Sequence, residues 1–476
     1  MRLDLPIYTY QHRSRPHSSA RLLNCFAEVM PPGSPYPAVL MRSQGTKDWA
    51  TVGSGSIYGM WQAEIEFSTG RLDRLYVVSG RELYSVDSAG AATLIGDIGT
   101  PVSIDLSHNT DSLVVVNEPN AYYYDGTTFA QITDPDFTSR GAGNVEFLEN
   151  FMLFREPNSN RMFGSDLGSV TDYDALNFVN ADSHPDNLLG GLSIDRNYIA
   201  FGKKTTEFFT NTGVSGFPFE RIVNATMQVG LAAENLYGIC FDVVYFIADD
   251  LTVRRLDGNQ PVRVSTHYIE QLLEKTFTLS SGEAFSYWQE GHFFMGFTFL
   301  EGTIIYDAVS MQWHERGSFN RNYWRMGHAT RFAGKWLVGD KDSNEIVELD
   351  VQTFDDAVND PQMASNVQLM EWTYQPIYAE GQRAFHDRLE VRFEAGVGLT
   401  TGQGSDPKIM MHFSDDGGKT WNALPTRTLG KKGEYEDRAV WHNLGSSRQR
   451  VYRGRVSDPV AVYIGDTITE VRGGRL

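Results

Sequence analysis

The sequence predicts a mainly β protein: a β-propeller of about seven blades, followed by a β-sandwich-like domain. A strand–turn–strand pattern recurs about every 40 to 50 residues through the middle of the chain. From about Asn366 the strands keep period-two alternation but lose that spacing. A helical pattern stands out in one segment only, "YIEQLLEKTF" from Tyr268.

Taken in order, residues 1–44 read as an N-terminal arm and residues 45–355 as the propeller. The repeat begins with "RLYVVSGRELYSVD" from Arg74-Leu75 and returns as "DSLVVVNEPNAYYYDG" from Asp111, "NFMLFREPNSNRMFGSD" from Asn150 and "NYIAFGKKTTEFFTNTG" from Asn197. It continues as "DVVYFIADDLTVRRLDG" from Asp242, "HFFMGFTFLEGTIIYDA" from His292 and "KWLVGDKDSNEIVELD" from Lys335. Each unit is rich in Val, Ile, Phe and Tyr and is cut by Gly, Asn, Asp or Pro turns. A further strand candidate precedes each hairpin, such as "SIYGMWQAEIEF" or "GNVEFLEN". The last unit lacks an outermost strand, because "VQTFDDAVNDPQMASN" is acidic and polar. The spare strand at Lys47 to Val52 therefore completes that blade and closes the ring, which removes an exposed sheet edge. Residues 356–366 read as an acidic linker and 367–476 as the C-terminal β domain.

Composition limits the function. At 476 residues the chain has ample length for a large core. "MRLDLPIYTY" has no basic start followed by an apolar run, so no secretory signal is expected. No stretch approaches the ~18 apolar residues of a membrane span. Cys25 and Cys240 lie far apart and read as two buried thiols, not a disulfide framework or zinc site. A formal charge of −19 argues against wrapping nucleic acid, which needs a basic face.

One motif raises the question of catalysis. In "MMHFSDDGGKTWN", Ser414, Asp416, Gly418, Thr420 and Trp421 stand on the spacing of the Asp-box hairpin, known from sialidases. The residues make sense as a turn. Asp416 can accept hydrogen bonds from turn amides, Gly418 can take positive φ, and Trp421 can cover the turn. A sialidase would also need three arginines, a Tyr nucleophile with its Glu, and an acid Asp. Its "FRIP"-type motif has a loose echo in "FREP" at Phe154 to Pro157. The box is thus expected to be structural, and no catalytic residue is expected. A carbohydrate-binding or glycoside-hydrolysing propeller is the alternative.

Other chemistry is sparse. "GAGNVE" at Gly141 lacks the third glycine of a phosphate loop. His12 and His17 sit in a Pro-containing arm, and "DYD" at Asp172 to Asp174 reads as a solvated turn, so no metal or cofactor is expected. The cluster Arg448, Arg450, Arg453 and Arg455 is expected to pair internally with Glu434, Glu436 and Asp437.

Three stretches resemble a known family. The opening "LPIYTYQHRSRPHSSARLLNCFAE", with Arg21-Leu22-Leu23-Asn24, is similar to the N-terminal arm of the packaged-DNA stabilisation, or tail-hub, proteins of short-tailed bacteriophages (podoviruses). "SHPDNLLGGLSIDRNYIAFGKKTTEFFTNTG" resembles that family's central segment. "RLEVRFEAGVG", "SDDGGKTW" and "LGKKGEYEDRAVWHNLGSSRQRVYRGRVSDP" resemble its C-terminal domain. One departure is "RSQGT", Arg42 to Thr46, where the family has a Thr-Pro-Gly-Leu turn.

The resemblance implies a structural virion protein of the tail, assembled in the host cytoplasm without a membrane partner. It implies a homo-oligomeric ring, usually a hexamer, beneath the portal–adaptor ring. Such a hub closes the head, retains packaged DNA, and carries the tail needle and the tailspikes or receptor-binding fibres. Genomic DNA leaves through its channel without sequence-specific binding, and an acidic wall would let the duplex slide. Arg21, Leu22, Leu23 and Asn24 become a candidate docking arm.

Overall fold

The structure, a computed structural model, describes residues 2–357, 367–379 and 381–474. The expected linker, 356–366, therefore falls mostly outside the described residues. Its flanks, Asp355 and Val367, are bridged to each other.

The propeller follows the repeat. Blade 1 runs through Ile57–Phe67, Gly70–Ser79, Glu82–Val86 and Ala92–Asp97, each strand antiparallel to the next. Blades 2 to 5 begin at Ile104–His108, Val145–Leu148, Leu188–Ile194 and Tyr237–Cys240, and each is a separate four-stranded sheet. Blade 6 comprises Glu283–Gln289, His292–Phe299, Gly302–Asp307 and Gln312–Arg316. Blade 7 starts with Met326–Phe332, Lys335–Asp340 and Glu345–Asp350. Six of these units are closed four-stranded sheets, whereas the four strands of blade 6 run on into a 12-stranded sheet.

The second strands of blades 2 and 3, Leu113–Asn117 and Phe151–Arg155, are buried at every position, because neighbouring blades cover both faces. An outer strand such as Ala92–Asp97 is mostly exposed and polar at its end. The helix His267–Lys275 connects blades 5 and 6 near the predicted segment, with Ile269 and Leu273 buried four residues apart and Thr266 capping its first turn.

The ring closes as expected. Gly45–Thr51 pairs antiparallel with Glu345–Asp350, with Thr46 opposite Leu349 and Lys47 opposite Glu348. Gly45 is required there, since a Cβ would sit 2.2 Å from the Asp355 carbonyl oxygen.

The first 44 residues do not form a separate arm. Ser19–Leu23, Cys25–Val29 and Ala38–Arg42 are strands of the C-terminal domain. That domain is a sandwich. One sheet has the order Cys25–Val29, Ala38–Arg42, Tyr463–Gly473, Ala384–Phe393 and Ala439–His442. The other runs from Ser19–Leu23 through Met370–Thr373, Gln449–Val456 and Lys408–Ser414 to Asn422–Ala423. Leu22, Cys25 and Leu40 join Trp372, Leu389, Met411, Trp441 and Ile464 in one core. Burying these alternating apolar positions is what draws the N-terminal segment in.

Candidate functional site

The residues singled out at the N-terminus lie at the seam between the two domains. Ser19–Leu23 is parallel to the outer strand of blade 6 through Leu23 and Glu315, and antiparallel to Met370–Thr373. One sheet thus passes from propeller to sandwich without a break. Arg21 donates to Glu315 at 2.7 and 3.0 Å and to Glu371 at 3.2 Å. Glu371 also accepts from Arg455 at 2.6 Å. Burial alone pushes the Glu371 carboxyl up, but the guanidinium groups of Arg21, Arg455 and Arg453 together hold it below its ordinary value.

Asn24 takes a positive φ of 53°, and its side chain bonds Gly317 in both directions and the Leu369 carbonyl at 2.9 Å. Leu22 and Asn24 are each 1% exposed. The candidate docking arm is therefore occupied inside the chain, and a partner would reach Leu22 and Asn24 only by separating the domains. A crevice of about 520 Å³ borders this seam, lined in part by Arg21, Tyr268, Glu315, Glu371 and Arg455.

Arg42, which opens "RSQGT", is a second tie. It is buried at the end of a sandwich strand and donates to the carbonyls of Asp458, Val460 and Gln368, which fastens that strand within the sandwich just before the chain enters the propeller. Burial brings it down to about 10. No local pattern distinguishes Arg42 or Glu371 from surface charges, because their partners lie far along the chain, for Glu371 84 residues away at Arg455 and 350 at Arg21.

The Asp-box residues form a closed turn. Asp416 accepts from the amides of Lys419 and Thr420 at 2.8 and 2.9 Å, and from the hydroxyls of Ser414 and Thr420 at 2.7 and 2.6 Å. These bonds hold its carboxyl well below the usual range. Gly417 and Gly418 have φ of 77° and 88°, and Trp421 lies against Gly418 with Arg453 over its ring at 4.0 Å. Pro16 packs on Gly417, and Arg15 reaches the Gly418 carbonyl. The hairpin tip is thus covered by the chain's own N-terminal loop, in which the rings of His12 and His17 meet edge to face at 5.5 Å.

Three of the four clustered arginines, Arg450, Arg453 and Arg455, pair internally, with different partners from those expected. Arg450 binds Asp415 at 2.7 Å, and Arg455 and Arg453 approach Glu371. Glu434, Glu436 and Asp437 instead line a separate surface hollow with Lys431. Strand pairing decides this: Gln449–Val456 lies between Met370–Thr373 and Lys408–Ser414, which places Arg455 opposite Glu371.

Arg, Tyr and Glu side chains do converge between the inner strands of blades 2 to 5. Arg155 of "FREP" pairs with Glu118 at 3.1 Å and Glu234 at 3.3 Å. Tyr198 is fully buried, and the Tyr237 hydroxyl donates to the Gly191 carbonyl at 3.1 Å. Burial first, then neighbouring Asp105, raises the Glu146 carboxyl well above its ordinary value. Arg155 is thus already engaged by protein carboxylates. Asp172 and Asp174 sit in turns, bonded to Ser169 and the Leu176 amide. Cys25 and Cys240 are both buried and free. Among the described residues, no group of three His, Cys, Asp or Glu could hold a metal ion.

Comparison with known proteins follows the same division. Residues 7–354 match the family model described as bacteriophage P22 Gp10, beta-propeller, and residues 371–471 match its beta-sandwich. No curated protein matches the chain. Similar solved structures include YCF48 bound to D1 peptide, at 10% identity and TM-score 0.39, covering 67% of this chain and 97% of that one. Another is a catalytically inactive virginiamycin B lyase from Staphylococcus aureus with quinupristin, at 10% identity and TM-score 0.42, covering 62% and 94%. At such identities and scores neither bears on function. The two family matches cover the propeller and the sandwich in order, and the chain belongs to the bacteriophage P22 Gp10 family of packaged-DNA stabilisation proteins, structural proteins of the phage.

Proposed function

We propose that this protein is a tail hub: a ring below the portal and adaptor that closes the DNA-filled head, retains the genome and anchors the tail needle and tailspikes. The observation that carries the reading is the seam. A continuous sheet, the Arg21 bridges and the Asn24 bonds to Gly317 and Leu369 join propeller and sandwich into one block, suited to bearing load. In this reading the Arg21–Asn24 segment docks the sandwich onto the propeller, and contact with the portal–adaptor ring falls to other surfaces. The net charge of −19 supports a channel that DNA passes without sticking. The chain acts as a virion component assembled in the host cytoplasm, with no enzymatic step and no membrane.

The test is the native mass of the purified protein, alone and mixed with the portal–adaptor ring from the same genome. Addition of about six copies to that ring supports the hub, as closed rings of identical subunits predict. A protein that stays apart from the ring refutes it.

A further inference from the structure

Two exposed aromatic patches of opposite charge lie on different domains. The first is at the turn Phe241–Asp242, between the first two strands of blade 5. Both residues have positive φ, 48° and 59°, a conformation rare for a residue as bulky as phenylalanine. The turn nevertheless presents Phe241 to solvent at 67% exposure, stacked on Phe293 of blade 6 at 4.0 Å. Phe293 also faces Trp288, which is 40% exposed. Asp242 and Glu290 are exposed in the turns beside these rings, and neither is in an ion pair with a described residue. Arg331 lies over the Trp288 ring, so cation stacking already occurs on this patch.

The second patch is at the far end of the sandwich. Strand Tyr463–Gly473 starts where Tyr463 packs on the cluster shared with blades 6 and 7. Arg472, near its other end, is about 30 Å away at the usual rise of an extended strand. There the Arg472 guanidinium lies over exposed Phe385 at 5.5 Å. Exposed Tyr378 is paired opposite Gln449, next to Arg448. Arg383 and Arg448 are exposed and make no ion pair with a described residue. Arg472 is paired with Asp387 at 2.9 Å, which leaves Arg383 and Arg448 as the cations this patch presents in a chain of net charge −19.

The patches complement each other: Asp242 and Glu290 outnumber Arg331 beside the stacked Phe241 and Phe293 rings, and Arg383 and Arg448 remain beside exposed Tyr378 and Phe385 once Arg472 is paired with Asp387. Such a pair of patches joins copies head to tail, and head-to-tail contacts close into a ring when the rotation permits. We propose that the Phe241–Trp288 patch of one copy seats on the Tyr378–Phe385 patch of the next, with Asp242 and Glu290 facing Arg383 and Arg448. This deepens the hub reading and rests on it.

The experiment uses full-length protein and sedimentation velocity at the highest soluble concentration. One variant carries Phe241→Glu and Trp288→Glu, the other Arg383→Glu and Phe385→Glu. All four side chains are exposed, and unchanged far-ultraviolet dichroism and melting confirm that both variants fold. The expected result is a ring for the unaltered protein, monomers for each variant alone, and a dimer that grows no further when the two variants are mixed. The dimer is diagnostic, because each variant retains the patch that the other lacks. Raising salt should weaken the contact. Variants that still form rings, or a mixture that stays monomeric, overturn the pairing while leaving the hub reading in place. Unaltered protein that stays monomeric also overturns it. If that monomer still adds to the portal–adaptor ring and the Phe241 variant does not, the first patch belongs to that partner. A protein that neither self-associates nor joins the portal–adaptor ring refutes both readings.

Discussion

Replacing Arg21 by methionine keeps most of the apolar stem and removes the guanidinium that ties propeller to sandwich. Two of its hydrogen bonds go to Glu315, at 2.7 and 3.0 Å, and one to Glu371, at 3.2 Å. The side chain is 32% exposed, against 14% for Glu315 and 3% for Glu371. At an effective dielectric of about 20, unit charges about 3 Å apart attract by roughly 5 kcal/mol before desolvation is counted. Lost hydration takes back much of this, so Arg21→Met should cost about 3 kcal/mol. Of that, we expect a coupling of ~2 kcal/mol with Glu315, which holds two bonds, and ~1 kcal/mol with Glu371. The smaller value follows because Glu371 keeps Arg455 at 2.6 Å when Arg21 is gone. Double-mutant cycles with Glu315→Gln and Glu371→Gln, read from urea midpoints at constant slope, measure both couplings. Values below ~0.5 kcal/mol for both pairs would make Arg21 a solvated surface charge and refute the clamp. A larger coupling to Glu371 than to Glu315 would refute the ranking by geometry.

Gly454→Ala should lower the melting temperature, because the new Cβ would lie 2.1 Å from Cζ2 of the buried Trp372, and overpacking costs ~1–3 kcal/mol; an unchanged melt would mean that the ring has room to move. Burial pushes the Asp105 carboxyl up to about 6, against the amides of Val145 and Leu106. A carboxyl raised by folding favours the folded state below its unfolded pKa near 4, and that stability is lost as pH rises through about 6. Asp105→Asn should therefore flatten the melting temperature between about pH 4 and pH 6, and an unaltered slope would count against this assignment. Burial raises the Cys240 thiol to about 12 and the Cys25 thiol further, so a thiol reagent at about pH 8 should label neither in the native protein and both after denaturation. Asp416→Ala should open the hairpin to trypsin after Lys419, since both turn amides lose their acceptor; equal digestion of the two proteins would show that the turn holds without it.

Much of the propeller was legible because its determinants are local. Val, Ile and aromatic runs broken by Gly, Asn and Asp specify hairpins within about 20 residues, and the recurrence of those hairpins specifies blades. Closure by Gly45–Thr51 was legible for a related reason: the polar run after Asp350 left one blade a strand short. The Asp box was the most local feature, since every acceptor bond of Asp416 described above lies within four residues.

Neighbouring residues thus specify strand period, turn chemistry, the blade repeat and the box. Which distant segments share a sheet follows only from the folded core. Alternation shows that Ser19–Leu23 is a strand, but not that it lies between Gln312–Arg316 and Met370–Thr373. For the same reason the basic strand Gln449–Val456 suggested nearby acids, while its register placed Arg455 on Glu371 and let Arg450 reach Asp415. The physical cause is loop closure. Joining segments separated by hundreds of residues costs entropy that only the finished core repays, so the pairing is a property of the whole chain and is not encoded in either partner alone.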